Sequence, residues 1–256
     1  MKRILLAGIA VLAMGALPGT AADLPARPIT KAPVVVAPVY NWNGFYVGLN
    51  GGYSWGSANT TLVGPAGLNP TSVGMSPKGW LGGAQIGYNW QASNNFVLGI
   101  EVDYDVSNES DNPTIGGTNP NLPGSPAASA SFKSLIQSIG TARGRLGFAV
   151  DNWLLYVTGG FAWGGVDVQA VQPGVHSIDY FKTQTGWTLG GGIEWGFWNN
   201  WSAKLEYLYV DLGTSGGLFV DPILPSVAFS TRWTDNIVRV GLNYRFNWGG
   251  PVVARY

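Results

Sequence analysis

Apolar and polar residues alternate along most of the chain beyond residue 44. In the first such run, Phe45 to Trp55, the set Phe45, Val47, Leu49, Gly51, Tyr53 and Trp55 alternates with Tyr46, Gly48, Asn50, Gly52 and Ser54. A period of two places successive side chains on opposite faces of a strand. The pattern returns at Trp80–Trp90, Phe96–Val106, about 132–149, Trp153–Val166, Thr183–Phe197, Trp201–Leu212 and Ile237–Phe246, which makes eight strands. The run at 132–149 is the weakest, yet Leu146 and Phe148 still fall out of phase with Arg143 and Arg145.

The two faces are unlike in an informative way. The apolar face is large and aromatic, whereas the polar face is rich in glycine and carries full charges. A soluble sandwich turns its apolar face inward. The present asymmetry fits an antiparallel up-and-down barrel with lipid outside and a tight polar interior. Strands of this length suffice for the ~9–11 residues a tilted membrane strand needs, and a closed barrel leaves no backbone group unpaired in hydrocarbon.

The connections strengthen that expectation. Short turns, Ala92-Ser93-Asn94, Asp151-Asn152 and Asn199-Asn200, alternate with long segments at about 57–79, 107–131, 167–182 and 213–236. Short turns on one side of a membrane and long loops on the other are the outer-membrane arrangement. Tryptophans follow the same map. Trp42, Trp90, Trp153, Trp195, Trp198, Trp201 and Trp248 fall at the short-turn ends, and Trp55, Trp80, Trp163, Trp187 and Trp233 at the long-loop ends. Indole rings belong at the two headgroup levels.

Composition agrees and excludes alternatives. Only 11% of residues are charged and 38 of 256 are glycine, against about 25% and roughly 7% in an ordinary soluble domain. The absence of cysteine removes disulfide scaffolds, zinc-thiolate and iron–sulfur sites and a cysteine nucleophile. A balance of 14 bases to 14 acids gives no basic patch of the kind nucleic acid requires. Residues 1–22 have the form of a secretory signal: Lys2 and Arg3, an apolar stretch from Ile4 to Leu17, then Thr20-Ala21-Ala22. Residues 23–43 hold Pro25, Pro28, Pro33 and Pro38 and are expected to be a periplasmic spacer without a role of its own. The barrel is expected over 44–248, with a C-terminal tail at 249–256.

Strand phase directs ten charged residues inward. They are the acids Glu101, Asp103, Asp105, Glu194 and Glu206 and the bases Arg143, Arg145, Lys204, Arg239 and Arg245. Charges withdrawn from water must pair. An eight-stranded interior is just filled by side chains, whereas 16–18 strands leave an aqueous channel. A neutralised plug is therefore expected, with an ion path as the alternative. Candidate catalysis is weak. His176 is the only histidine; it is followed by Ser177, and Asp179 lies near, but adjacent loop residues do not define a nucleophile–base geometry. No catalytic residue, cofactor or metal site is assigned. The loop carboxylates Glu109, Asp111, Asp179 and Asp221 lack calcium-ligand spacing.

The stretch Arg239 to Phe246 has the polar–x–Gly–x–x–aromatic–x–aromatic form of the C-terminal signal read by the barrel assembly machinery, with Gly241, Tyr244 and Phe246 as its marks. A last strand can be recognised by adding to a sheet edge of the machine. A ten-residue tail follows and ends in Tyr256, so the aromatic that is read stays open.

Several motifs combine here: Thr20-Ala21-Ala22-Asp23-Leu24-Pro25, the proline-rich spacer, Asn41-Trp42-Asn43-Gly44-Phe45-Tyr46-Val47-Gly48, Thr141-Ala142-Arg143-Gly144-Arg145-Leu146-Gly147, Trp201-Ser202-Ala203-Lys204-Leu205-Glu206-Tyr207, and Val240-Gly241-Leu242-Asn243-Tyr244-Arg245-Phe246. Together they resemble the alphaproteobacterial outer-membrane immunogenic, porin-like small β-barrel family over nearly the whole chain. The resemblance implies a surface-exposed, eight-stranded barrel of the Gram-negative outer membrane with an envelope-structural, non-enzymatic role. Its expected partners are outer-membrane lipids, lipopolysaccharide and the assembly machinery, with self-association open. A small porin or uptake channel is the alternative, and an adhesin acting through residues 110–128 or a lipid hydrolase follows behind.

Overall fold

The computed structural model describes residues 40–63, 71–93, 95–111, 114–117, 128–171, 177–219 and 227–246. The expected signal, most of the spacer and the tail lie outside these residues. Among the described residues there are ten strands: β1 (Gly44–Val63), β2 (Thr71–Met75), β3 (Lys78–Gln91), β4 (Phe96–Asp111), β5 (Thr114–Gly117), β6 (Ala128–Val150), β7 (Trp153–Val171), β8 (Ser177–Trp198), β9 (Trp201–Phe219) and β10 (Val227–Phe246).

The strands run in the order β10-β9-β8-β7-β6-β4-β3-β1, each antiparallel to its neighbour, and β1 pairs back onto β10. That last ladder extends from Phe45↔Phe246 to Val63↔Ala228 and closes the ring. β2 pairs with the far part of β1, from Ala58↔Met75 to Leu62↔Thr71, and so prolongs the position of β3 past a break at Ser76-Pro77. Proline lacks the N–H that an unbroken ladder would use there. β5 pairs only with β6. The ring therefore has eight strand positions, and closure removes its edges.

Turns close one end. Val150 pairs with Trp153 around Asp151-Asn152, where Asp151 has φ 53°. A left-handed residue of this kind suits the primed turns that match strand twist, and Asp tolerates it. At the other end the structure corrects the expected connections. Pairing continues through much of 57–79, 107–131, 167–182 and 213–236; β7 and β8, for example, remain paired out to Val171↔Ser177. Hydrophobic alternation reports contact with lipid, not strand as such. Beyond the membrane the outer face turns polar, as at Asn59 and Thr61, and the ladder continues unmarked. β1 has 20 residues, on the order of 65 Å at about 3.3 Å per residue, well beyond a bilayer's need.

The outer face is apolar at mid-height, with Leu49, Ile86, Ile100, Val157, Leu189 and Val240 exposed. Cross-strand aromatic pairs band both ends. Near the turns, ring centroids lie 5.4 Å apart for Phe96–Phe148, 5.8 Å for Trp153–Trp195 and 5.1 Å for Trp201–Tyr244. Near the loops, Tyr53–Trp80 are 5.3 Å apart and Trp187–Tyr209 5.5 Å. Such pairs stabilise a sheet beyond simple burial. Two tryptophans depart from the expected bands: Trp42 and Trp233 are 0% and 2% exposed and lie inside the barrel.

One lipid-facing glycine has a steric reason. Gly140 lies opposite Trp163, and a Cβ on it would come within 2.3 Å of the indole. The ring covers the bare backbone, a known compensation for glycine in sheets. Gly140→Val is expected to displace the indole and cost about 1–3 kcal/mol, measured as a lower urea midpoint for the refolded barrel. An unchanged midpoint would show that the indole's position contributes nothing.

Candidate functional site

The ring dictates what lies inside it. On β4 the inward phase carries Val97, Glu101, Asp103 and Asp105; on β10 it carries Arg239, Asn243 and Arg245. Register then sets lateral neighbours: Glu101 opposite Arg143, Glu206 opposite Arg239, and Glu194 opposite Lys204. All ten inward charges inferred from phase are at most 4% exposed.

The interior is layered. At the turn end, Tyr40 and Trp42 enter ahead of β1. Trp42 packs with Val97, Ala149, Leu154 and Tyr156, with Tyr40 against them. The Trp42 N–H donates to Gln91 Oε1 at 3.0 Å, and the Tyr40 hydroxyl donates to the Trp201 carbonyl at 3.1 Å. The segment expected to be an inert spacer thus ends as part of the barrel's filling. Arg245 belongs here. Its guanidinium lies 4.4 Å from the centre of the Tyr40 ring and 5.5 Å from that of Trp42, and it donates to the Asn199 carbonyl at 3.2 Å. No carboxylate among the described residues pairs with it.

Above this layer Arg145 pairs with Glu194 and lies 3.7 Å over the Tyr156 ring. Glu194 Oε1 also accepts from Ser202 at 2.5 Å and Asn243 at 2.9 Å. Next comes the main network. Arg143 reaches Glu101 at 2.5 Å, Asp103 at 2.8 Å and Glu206 at 3.0 Å. Arg239 reaches Asp103 at 3.0 Å, Asp105 at 2.7 Å and Glu206 at 2.8 Å. Lys204 reaches Glu101 at 2.8 Å. Hydroxyls complete the carboxylates: Tyr46 donates to Glu101 at 2.7 Å, Tyr156 to Glu206 at 3.0 Å and Thr141 to Asp103 at 2.6 Å. Such dense pairing is what makes buried ion pairs tolerable, although Asp105 Oδ1 and the Nε and Nη1 of Arg145 are buried without a hydrogen-bond partner. Gly241 gives Lys204 its passage, since a Cβ there would lie 3.0 Å from the lysine stem.

A third layer, toward the loop end, is apolar. Leu81, Ile136, Ile139, Leu208, Val210, Trp233 and Ile237 form one buried cluster. Sequence reading missed this layer because it took the whole inner face as polar. Yet Trp233 and Ile237 share odd numbering with Arg239, so strand phase carried the signal. Tyr46, Tyr156, Thr141 and Asn243 were likewise in phase but not recognised as part of the network. Glu109, expected in a loop, is in β4 and fully buried, as is Asp235 of β10. Asp111 accepts the Ser76 N–H at 2.7 Å. His176 and Asp221 lie outside the described residues, and Ser177 and Asp179 are described only as backbone in β8. Residues 110–128 are described only at 110–111, 114–117 and Ala128. β10 ends at Phe246, whose ring packs 5.2 Å from Tyr244.

A closed antiparallel ring, apolar outside and banded by aromatics, is an integral membrane barrel of the outer-membrane class. The chain belongs to the outer membrane protein beta-barrel domain family, whose model matches residues 8–246. It is 35% identical over 270 residues to the 31 kDa outer-membrane immunogenic protein of Brucella melitensis biotype 1, covering 96% of this chain and 100% of that one. It is 30% identical over 213 residues to the 22 kDa outer membrane protein of Rhizobium leguminosarum bv. viciae, covering 82% and 81%. Among solved structures, the outer membrane protein OprG from Pseudomonas aeruginosa aligns with a TM-score of 0.45 at 7% identity, over 81% of this chain and 99% of that one. The protein resides in the outer membrane.

Arg143 touches three carboxylates, so its removal tests the network. Arg143→Met would leave Glu101, Asp103 and Glu206 under-compensated and is expected to cost about 3–5 kcal/mol. The measurement is urea unfolding of the barrel in lipid vesicles, followed by tryptophan emission. A loss below about 1 kcal/mol, the range of a surface pair, would mean that the network does not support the fold.

Proposed function

We propose that this protein is a non-enzymatic, envelope-structural barrel that holds its extracellular rim above the membrane and does not conduct. The observation that carries the reading is the layered interior: a densely paired charge network lies between an aromatic layer at one end and an apolar layer at the other. Moving an ion past it would require breaking several buried pairs at once, each in a low-dielectric setting. The alternating turn and loop ends support a periplasmic turn side and an extracellular loop side. The names of the Brucella relatives, which call them immunogenic, support exposure of that rim to the surroundings.

The lipid face would meet outer-membrane lipids and lipopolysaccharide. The stretch around Gly241, Tyr244 and Phe246 would be read by the assembly machinery. β10 is well placed for this, because it is the strand whose pairing with β1 closes the ring.

Planar-bilayer recording tests the proposal, with insertion verified by the heat-dependent gel mobility of folded barrels. The expected result is no steady openings. Steady openings whose size changes on replacement of Arg143 or Arg239 would overturn the reading in favour of a small channel.

A further inference from the structure

Two buried carboxyls in the loop-end third of the barrel take no part in the ion-pair network. Glu109 of β4 is 0% exposed and Asp235 of β10 is 1% exposed. β1 and β3 lie between their strands in the ring. The wall between them is cleared by glycine: Asp235 is opposite Gly56, Ser54 is opposite Gly79, and a Cβ on Gly79 would come 2.8 Å from Glu109 Cα. The two carboxyls thereby turn toward each other across two strands, close enough that each acts on the other's ionisation.

Their remaining oxygens show what is missing. Ser107 donates to Glu109 Oε1 at 3.0 Å, and the Asn236 N–H donates to Asp235 Oδ1 at 2.9 Å. Glu109 Oε2 and Asp235 Oδ2 are buried with no donor. No cation answers them among the described residues. On β10, Arg239 is engaged by Asp103, Asp105 and Glu206, and the side chain of Arg232, 63% exposed, is paired with Asp211 of β9. On β4, Asp105 is held by Arg239. On β3, Lys78 is exposed, and β1 contributes only Ser54. β6 presents Ile136 and Ile139, β9 presents Leu208 and Val210, and Asp167 of β7 is taken by Gln137.

Two carboxylates in an apolar layer without a cation cannot both be ionised. We propose that Glu109 and Asp235 share one proton, forming a latch that ties β4 to β10 across the β1 seam, and that alkaline loss of this proton loosens the loop end of the barrel. The shared proton supplies the donor that both orphaned oxygens lack. A calcium ion would need 6–8 oxygen ligands. Here two carboxyls and two serine hydroxyls converge, and no third acidic or histidine ligand joins them among the described residues.

The sign of the effect follows from linkage. Carboxyls of the unfolded chain ionise near pH 4, so above that the folded state holds one more proton, and stability falls with rising pH until the shared proton is lost. The test is unfolding of the full-length barrel in detergent micelles between pH 6 and pH 10, read by tryptophan emission and by gel mobility. In the wild type the folded-to-unfolded ratio is expected to fall by up to about tenfold per pH unit from pH 6 upward while the folded state still holds the proton, and to level off once it is lost. Asp235→Asn and Glu109→Gln each remove one charge, keep the shape and supply a donor, so each should flatten that fall. A pH-independent wild type, or wild-type and Asp235→Asn profiles that run parallel, would overturn the proposal. Calcium that restores the wild type at high pH but not Asp235→Asn would overturn it too, in favour of a cation site.

Discussion

A strand in hydrocarbon has no water to satisfy its backbone, and the pairing of β10 with β1 is what makes the remaining structure permissible. With that ladder made, no N–H or C=O in the membrane band need face lipid unpaired. Closure also removes choice from every side chain. Each residue of a paired strand must face lipid or interior, and a slip of one residue would exchange the two sets. Leu242 and Tyr244 face lipid for the same reason that Arg239 and Asn243 face inward.

Eight strand positions make the interior narrow, and narrowness sets its chemistry. Charges at Glu101, Arg143, Glu206 and Arg239 are brought close enough that each meets partners across the barrel as well as beside it. Lateral register alone would give Glu194 to Lys204, but Lys204 reaches over to Glu101, and Glu194 takes Arg145. The network is therefore a property of the closed ring rather than of any one hairpin. Glycine makes it physically possible where a long side chain must pass, as Gly241 does for Lys204.

Most of this frame was legible in the sequence, because alternation encodes face and short turns encode neighbours. The eight positions, the inward set of charges and the lipid-facing aromatics all follow from phase. Four things did not. The strand extensions were hidden because the outer face above the membrane is no longer apolar. Trp42 was hidden because it precedes the first strand and has no phase to read. Trp233 and Glu109 were hidden by assigning them to a girdle or a loop on position alone, although their phase pointed inward. Pairing across the lumen was never available, since it depends on ring size and strand stagger, which no local pattern reports.

The interior charge count changes accordingly. Phase suggested five acids against five bases, which invites a picture of complete neutralisation. The structure withdraws Arg245 to the turn end, where aromatic rings and a backbone carbonyl hold it, and adds Glu109 and Asp235 at the other end. With Asp167 and Asp211 also buried, nine buried acids among the described residues then face five buried bases, and the surplus of Glu109 and Asp235 lies where those bases do not reach. Low dielectric punishes such an imbalance far more heavily than water would. Relief must come from a bound positive species or from protonation. The apolar layer of Leu81, Leu208 and Ile237, which separates Glu109 and Asp235 from Arg239, keeps this pair from sharing the arginine's charge. The same layering that pairs the charges in the middle of the barrel thus leaves its loop end dependent on what those two carboxyls hold between them.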